Sequence, residues 1–150
     1  FTWGMTNTFS YKGFALSVFV HGVHGVTKNN NLKQDNVWGE VKRNTTRKNW
    51  WTPDNPTNEF YMNHVQANTM DGQYAPFYED ASFIRFKDIS LSYDLPATLM
   101  DQLNMNNLRI YVTGRNLFTI TKWEGLDPEL NNQRGIPLQK EYVIGLDIGF

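Results

Sequence analysis

The chain has 150 residues, 40% of them apolar and 15% aromatic, with 14 basic against 15 acidic side chains, a formal charge of -1 and no cysteine. Near-neutral charge removes the electrostatic case for nucleic acid or an anionic membrane surface, and the lack of cysteine excludes disulfide frameworks and thiolate metal sites. No apolar run approaches the ~20 residues of a membrane-spanning helix, so a spanning segment here could only be a strand. The chain opens on Phe1 rather than Met, with nothing resembling a signal peptide, and is expected to be a piece of something longer.

Residues 2–11 set Trp3, Met5, Phe9 and Tyr11 on one parity against Gly4, Thr6, Thr8 and Ser10 on the other. Period two predicts a strand with two unlike faces. Lys12-Gly13 then suits a tight hairpin, and residues 14–21 resume with Phe14, Leu16, Val18 and Val20 against Ala15, Ser17, Phe19 and His21. From Gly22 to about Asp80 the alternation dissolves into a polar, asparagine-rich stretch carrying Trp38, Trp50 and Trp51 and the turn-like Thr52-Pro53-Asp54-Asn55-Pro56. Such a connection is out of place inside a compact soluble domain and ordinary for the outer loop of a membrane barrel.

Alternation returns over residues 81–95, where Ile89, Leu91, Tyr93 and Leu95 form an apolar face but the same parity backwards meets Lys87 and Arg85. Either the upper half rises above the hydrocarbon or a bulge shifts the phase. The first is preferred, because a cation facing lipid at mid-depth costs roughly 2–4 kcal/mol. Pro96 stops the strand, and Leu99, Met100 and Leu103 predict a short helical turn. Residues 108–121 alternate again through Leu108, Ile110, Val112, Phe118 and Ile120, and a loop precedes a last strand over residues 140–150. In that strand Tyr142, Ile144, Leu146, Ile148 and Phe150 make a continuous apolar row against Val143, Gly145, Asp147 and Gly149.

The expected fold is all-β: about five antiparallel strands, at the C-terminal end of a large transmembrane β-barrel. Its connections alternate between short turns and long extracellular loops, the asymmetry of outer-membrane barrels. So few strands cannot close a barrel in lipid, so the remaining strands must come from elsewhere.

Three stretches carry a family resemblance: Asp80-Ala81-Ser82-Phe83-Ile84-Arg85-Phe86-Lys87-Asp88-Ile89-Ser90-Leu91-Ser92-Tyr93-Asp94-Leu95-Pro96, Leu108-Arg109-Ile110-Tyr111-Val112-Thr113-Gly114-Arg115-Asn116-Leu117-Phe118-Thr119, and Gly125-Leu126-Asp127-Pro128-Glu129. With Trp51-Thr52-Pro53-Asp54-Asn55-Pro56 and Ser10-Tyr11-Lys12-Gly13-Phe14, their order and spacing resemble the C-terminal part of the SusC/RagA-type TonB-dependent transporters of the Bacteroidetes outer membrane. The resemblance runs through nearly the whole chain and is weak over Gly22 to Asn49 and Asn58 to Tyr78. It implies a barrel of about twenty-two strands with a plugged lumen. It also implies a SusD-like surface lipoprotein as partner, and energy from TonB delivered through an N-terminal part and plug that this chain does not contain. The expected location is the bacterial outer membrane, and the expected function is import of a glycan, peptide or other bulky nutrient. A soluble carbohydrate-binding β-sandwich and a passive porin-like or adhesive barrel are the alternative readings.

No catalytic residue, cofactor or metal is expected. His21, His24 and His64 lack a third identifiable ligand and read as solvated or lumen-facing. Asp127 and Glu129 flank a proline in a turn and read as loop-shaping rather than as an acid/base pair. Trp38, Trp50 and Trp51 are candidate contacts for sugar rings or a partner, against the alternative that they pack their own loop or anchor it at the membrane surface. Arg85, Lys87, Arg109 and Arg115 are candidates to line a wet lumen, with Arg85 and Arg115 the ligand- or partner-facing candidates, against the alternative of a merely solvated face. The row Tyr142, Ile144, Leu146, Ile148 and Phe150 is expected to face the lipid bilayer. Its terminal aromatic resembles the signal read by the barrel-assembly machinery.

Overall fold

The computed structural model describes residues 1–30, 32, 47–60, 62, 77–103, 105–133 and 135–150. They form strands β1 (Thr2–Tyr11), β2 (Phe14–Val23), β3 (Thr27–Asn29), β4 (Tyr78–Asp80), β5 (Phe83–Asp94), β6 (Asn107–Thr121) and β7 (Glu141–Gly149), with helix α1 (Ala97–Leu103) between β5 and β6. Strands β1, β2, β5, β6 and β7 make a five-stranded antiparallel sheet in that order, and β3 pairs with β4 in a separate ladder. That ladder lies within the stretch where the sequence pattern shows only loop, because three-residue strands are too short to display a period. The contacts divide into two units: Phe1–His24 with Phe83–Thr121 and Leu138–Phe150, and Gly25–Ser82 with Lys122–Pro137.

The first hairpin follows from its turn. Lys12 and Gly13 take φ of 46° and 85°, the paired positive angles of a type I′ turn, whose twist matches that of the flanking strands. That fixes Tyr11 opposite Phe14 and carries the register up to Thr2 opposite Val23. Register then aligns residues of one parity in rows across the sheet. Phe9, Leu16, Leu91, Val112 and Ile144 are successive cross-strand partners, as are Tyr11, Phe14, Tyr93, Ile110 and Leu146. Phe14 and Tyr93 stack with ring centroids 4.4 Å apart. Most of this face is exposed, Ile144 by 79%.

The opposite face is lined by hydroxyls and charges. Thr8, Ser17, Ser90 and Thr113 form one row, and Ser90 and Thr113 share a hydroxyl hydrogen bond of 2.9 Å. The Tyr111 ring lies over Gly145, its register partner, where a Cβ would collide with it.

Strand β5 does not keep one parity from end to end. Its pairing shifts on both sides around Lys87: Phe19 and Val20 of β2 are opposite Asp88 and Phe86, while Asp88 and Phe86 are opposite Arg115 and Phe118 of β6. Asn116 takes a positive φ of 51° beside this shift. The bulge exchanges the faces, so Ile84 and Phe86 join the apolar side and Arg85 turns to the polar side. This corrects the expectation of a continuous strand whose upper half rises out of the hydrocarbon. The cation is kept off the apolar face by phase, and the Phe86 and Phe118 rings, 4.2 Å apart, continue that face above the bulge.

Helix α1 starts directly after Pro96, whose carbonyl accepts from the amides of Leu99 and Met100 at 3.0 and 3.4 Å. Proline serves there because a helix leaves its first amides unpaired in any case. Met100 is buried, and Leu95 N bonds Leu108 O at 3.0 Å, joining β5 to β6 around the turn.

Candidate functional site

The polar sheet face carries an ordered charge pattern on β5, β6 and β7. Arg109 sits in register between Asp94 and Asp147, and Arg115 between Asp88 and Glu141. Arg109 grips Asp94 through Nε and Nη2 at 2.5 and 3.2 Å. Arg115 reaches Asp88 at 3.5 Å and Glu141 at 3.4 Å. These pairs are half-exposed, so they fix side-chain direction more than they add stability. Arg115 therefore lies on the hydroxyl- and charge-bearing face, its charge shared between two carboxylates.

Arg85 differs. It is 3% exposed, donates from Nε to Thr119 Oγ1 at 2.9 Å, and lays its guanidinium over the Phe83 ring at 5.5 Å. His21, its register partner, meets Phe83 edge-on at 5.6 Å. Arg85 is thus packed against Thr119, Phe83 and His21 on the polar face.

Tyr142, Ile144, Leu146 and Ile148 lie along one face of the edge strand β7 and Phe150 follows directly after it, every member of the row exposed.

In the second unit, the segment from Arg47 to Phe60 closes on itself. Thr52 and Asn55 exchange backbone hydrogen bonds at 3.2 and 3.0 Å, and Trp51 N bonds Phe60 O at 2.9 Å. Asn55 Nδ2 donates to Asn49 Oδ1 at 2.8 Å and to Trp50 O at 3.0 Å, tying the turn to the residues before it. Trp50 packs edge-on against Phe60 at 5.6 Å with the Lys48 ammonium over its ring, while Trp51 is 38% exposed. The two tryptophans thus separate: Trp50 holds the loop and Trp51 faces outward. Trp38 and His64 lie outside the described residues. Arg47, Lys48, Asn49, Trp50, Asn55 and Glu59 line a cavity of about 620 Å³, with Thr52, Phe60 and Glu124 completing its wall.

The loop after β6 is organised by a residue the sequence did not single out. Gln133, 1% exposed, accepts from Trp123 Nε1 and Asp127 N, both at 3.2 Å, and donates to Asp127 O at 2.9 Å. Asp127 Oδ1 in turn accepts from Glu129 N at 2.9 Å, an Asx turn of the kind expected for this pair. Lys28 Nζ donates to Pro128 O at 2.6 Å, and buried Asn30 donates from Nδ2 to Glu79 Oε2 at 3.4 Å and accepts from Leu32 N at 3.2 Å. A lone glutamine, lysine or asparagine in a polar stretch carries no periodic signal, so only the folded loop reveals these roles.

No family model matches the sequence. Among curated proteins, TonB-dependent receptor P3 of Formosa agariphila is 29% identical over 149 residues, covering 99% of this chain and 15% of the receptor. TonB-dependent receptor P26 of the same organism is 31% identical over 132 residues, 86% of this chain and 13% of the receptor. The chain therefore spans about one seventh of the length of these relatives. Among solved structures, the RagAB peptide importer in its open-open state superposes with a TM-score of 0.73 at 28% identity, over 99% of this chain and 17% of that one.

Proposed function

We infer that this chain, a homologue of the TonB-dependent receptors and of the RagA-type β-barrel transporters, contributes its five-stranded sheet to an outer-membrane nutrient importer. The observation that carries the reading is the likeness to the RagAB importer along nearly the whole chain. The surface chemistry agrees with it: an exposed apolar face suits lipid and a hydroxyl- and charge-bearing face suits a wet lumen. The edges of the sheet, β1 and β7, join further strands of the barrel, since an open edge is not tolerated in lipid. The barrel-assembly machinery reads the apolar row that ends at Phe150.

In this reading the chain performs no covalent step. It supplies wall and loops, while a plug and a TonB-contacting segment in the rest of the protein deliver the energised step. A SusD-like lipoprotein presents the cargo, a glycan, peptide or other bulky nutrient. Arg115 on the polar sheet face is a candidate contact for cargo, and Trp51 on the loop is a candidate contact for cargo or partner. The test is uptake of a labelled nutrient by cells carrying the intact receptor. Import should stop when the proton gradient is dissipated and fall when the lipoprotein partner is deleted. Uptake that persists through both treatments marks a passive pore and refutes the importer.

A further inference from the structure

On the polar face of the sheet, charge alternates from strand to strand. β5 carries Asp88 and Asp94, β6 carries Arg115 and Arg109 opposite them, and β7 carries Glu141 and Asp147 opposite those. Each strand thus presents two charges of one sign, six residues apart, and the sign reverses at each step across the ladder. Opposite charges directly across a ladder attract and like charges repel, so the strand that fits beside β7 brings two cations at the same spacing.

The carboxylates of β7 are incompletely answered from within the sheet, where two arginines serve four carboxylates. Arg109 commits Nε and Nη2 to Asp94, while Asp147 is exposed and makes no hydrogen bond or ion pair among the described residues. Glu141 shares Arg115 with Asp88, at 3.4 and 3.5 Å. On either side of Asp147 the β6 side chains Tyr111 and Asn107 fill the places above Gly145 and Gly149, so Asp147 is the one side chain that this half of β7 raises on the polar face. The strand has β6 on one side only, and its other backbone edge is open to pairing.

A second copy of this chain is a poor occupant of that edge. Its β1, Thr2–Tyr11, holds no charged residue, and its β7 brings further carboxylates. The curated relatives run to about seven times this chain's length, which leaves ample chain to supply another strand.

We propose that the open edge of β7 is closed by an antiparallel strand from the rest of the receptor whose lumen side carries two arginines or lysines six positions apart, one opposite Asp147 and one opposite Glu141. The proposal rests on the barrel reading and adds the chemistry and register of the seam.

The experiment is a cryo-EM structure of the intact receptor in lipid nanodiscs, followed by a double-mutant cycle. A strand laddered on β7 with a cation beside each of the two carboxylates is the expected result. A neutral or acidic residue at either position overturns the inference and leaves the barrel standing, whereas a β7 edge that is bare or covered by a second copy overturns the barrel reading as well. In urea titrations of folding into vesicles, Asp147→Asn and replacement of the facing cation by glutamine should each weaken folding. The double variant should lose roughly threefold less than the product of the single losses, the coupling of a cross-strand ion pair. Losses that simply multiply overturn the pairing.

Discussion

Ile144 and Val143 are neighbours on β7 with opposite environments, which makes them a paired probe of the sheet's two faces. Ile144 is the outermost member of the row through Phe9, Leu16, Leu91 and Val112, and Val143 is the register partner of Thr113 on the hydroxyl face. At ~3.3 Å per residue and a strand tilt of about 40°, Ile144 stands roughly 10 Å from the Ile148 level along the barrel axis, well inside an apolar band about 25 Å tall. Arginine facing lipid at that depth costs about 2 kcal/mol, close to the lower figure for the bilayer midplane. Each 1.4 kcal/mol is tenfold, so the folding equilibrium should fall roughly 30-fold in Ile144→Arg. Val143→Arg places the same charge in water at the same depth and should change the equilibrium by less than about threefold. The assay is equilibrium folding of the intact receptor into lipid vesicles across a urea series, read by gel mobility of the folded barrel. Equal losses would refute the division into lipid and lumen faces, and a larger loss for Val143→Arg would reverse it.

Deleting Lys87 should remove the bulge and leave strict alternation, with Ile84 and Phe86 still on the apolar face and Arg85 on the polar one, so assembly should persist as it does in Lys87→Ala; loss of assembly on deletion alone would show that Lys87 is more than the extra residue of a bulge. Gly145→Ala should destabilise the barrel by about 1–2 kcal/mol because its methyl meets the Tyr111 ring, and the penalty should vanish in a Tyr111→Ala background; an unchanged penalty there would contradict the contact. Gln133→Ala should expose the Asp127 amide to hydrogen exchange by leaving it and the Trp123 indole without their shared acceptor, at a local cost of about 2 kcal/mol, while exchange across β6 stays unchanged. Gly13→Ala should cost about 1 kcal/mol or more, since φ is +85° there and the new Cβ stands 2.8 Å from Asp94 O; refolding kinetics of the hairpin would register it.

The sheet was legible in the sequence wherever a strand is long enough to show its period and each face meets one environment. β1, β2, β6 and β7 fit that condition, and Lys12-Gly13 fixes the hairpin on its own. β5 was ambiguous at the residue where the phase changes. A parity break at Lys87 has the same appearance whether the strand leaves the membrane or bulges, and only pairing to β2 and β6 distinguishes the two. The loop chemistry was less legible. Trp50 and Trp51 are adjacent and identical in type, yet one packs on Phe60 and the other faces outward, a difference set by the Thr52–Asn55 turn and its cross-links to Asn49. Gln133 holds its loop through contacts near in space whose partners no local pattern announces.

The central claim is that alternate residues of this sheet face lipid and water in an outer-membrane barrel. Single cysteines at 110, 111, 112, 113, 143, 144, 145 and 146 of the intact receptor, placed in native outer membranes, test it by labelling with a membrane-impermeant thiol reagent and a lipid-soluble one. The account predicts a period of two: positions 110, 112, 144 and 146 labelled from lipid, and positions 111, 113, 143 and 145 labelled from water. Uniform access of the aqueous reagent to both sets, with the protein recovered in the soluble fraction without detergent, would contradict it.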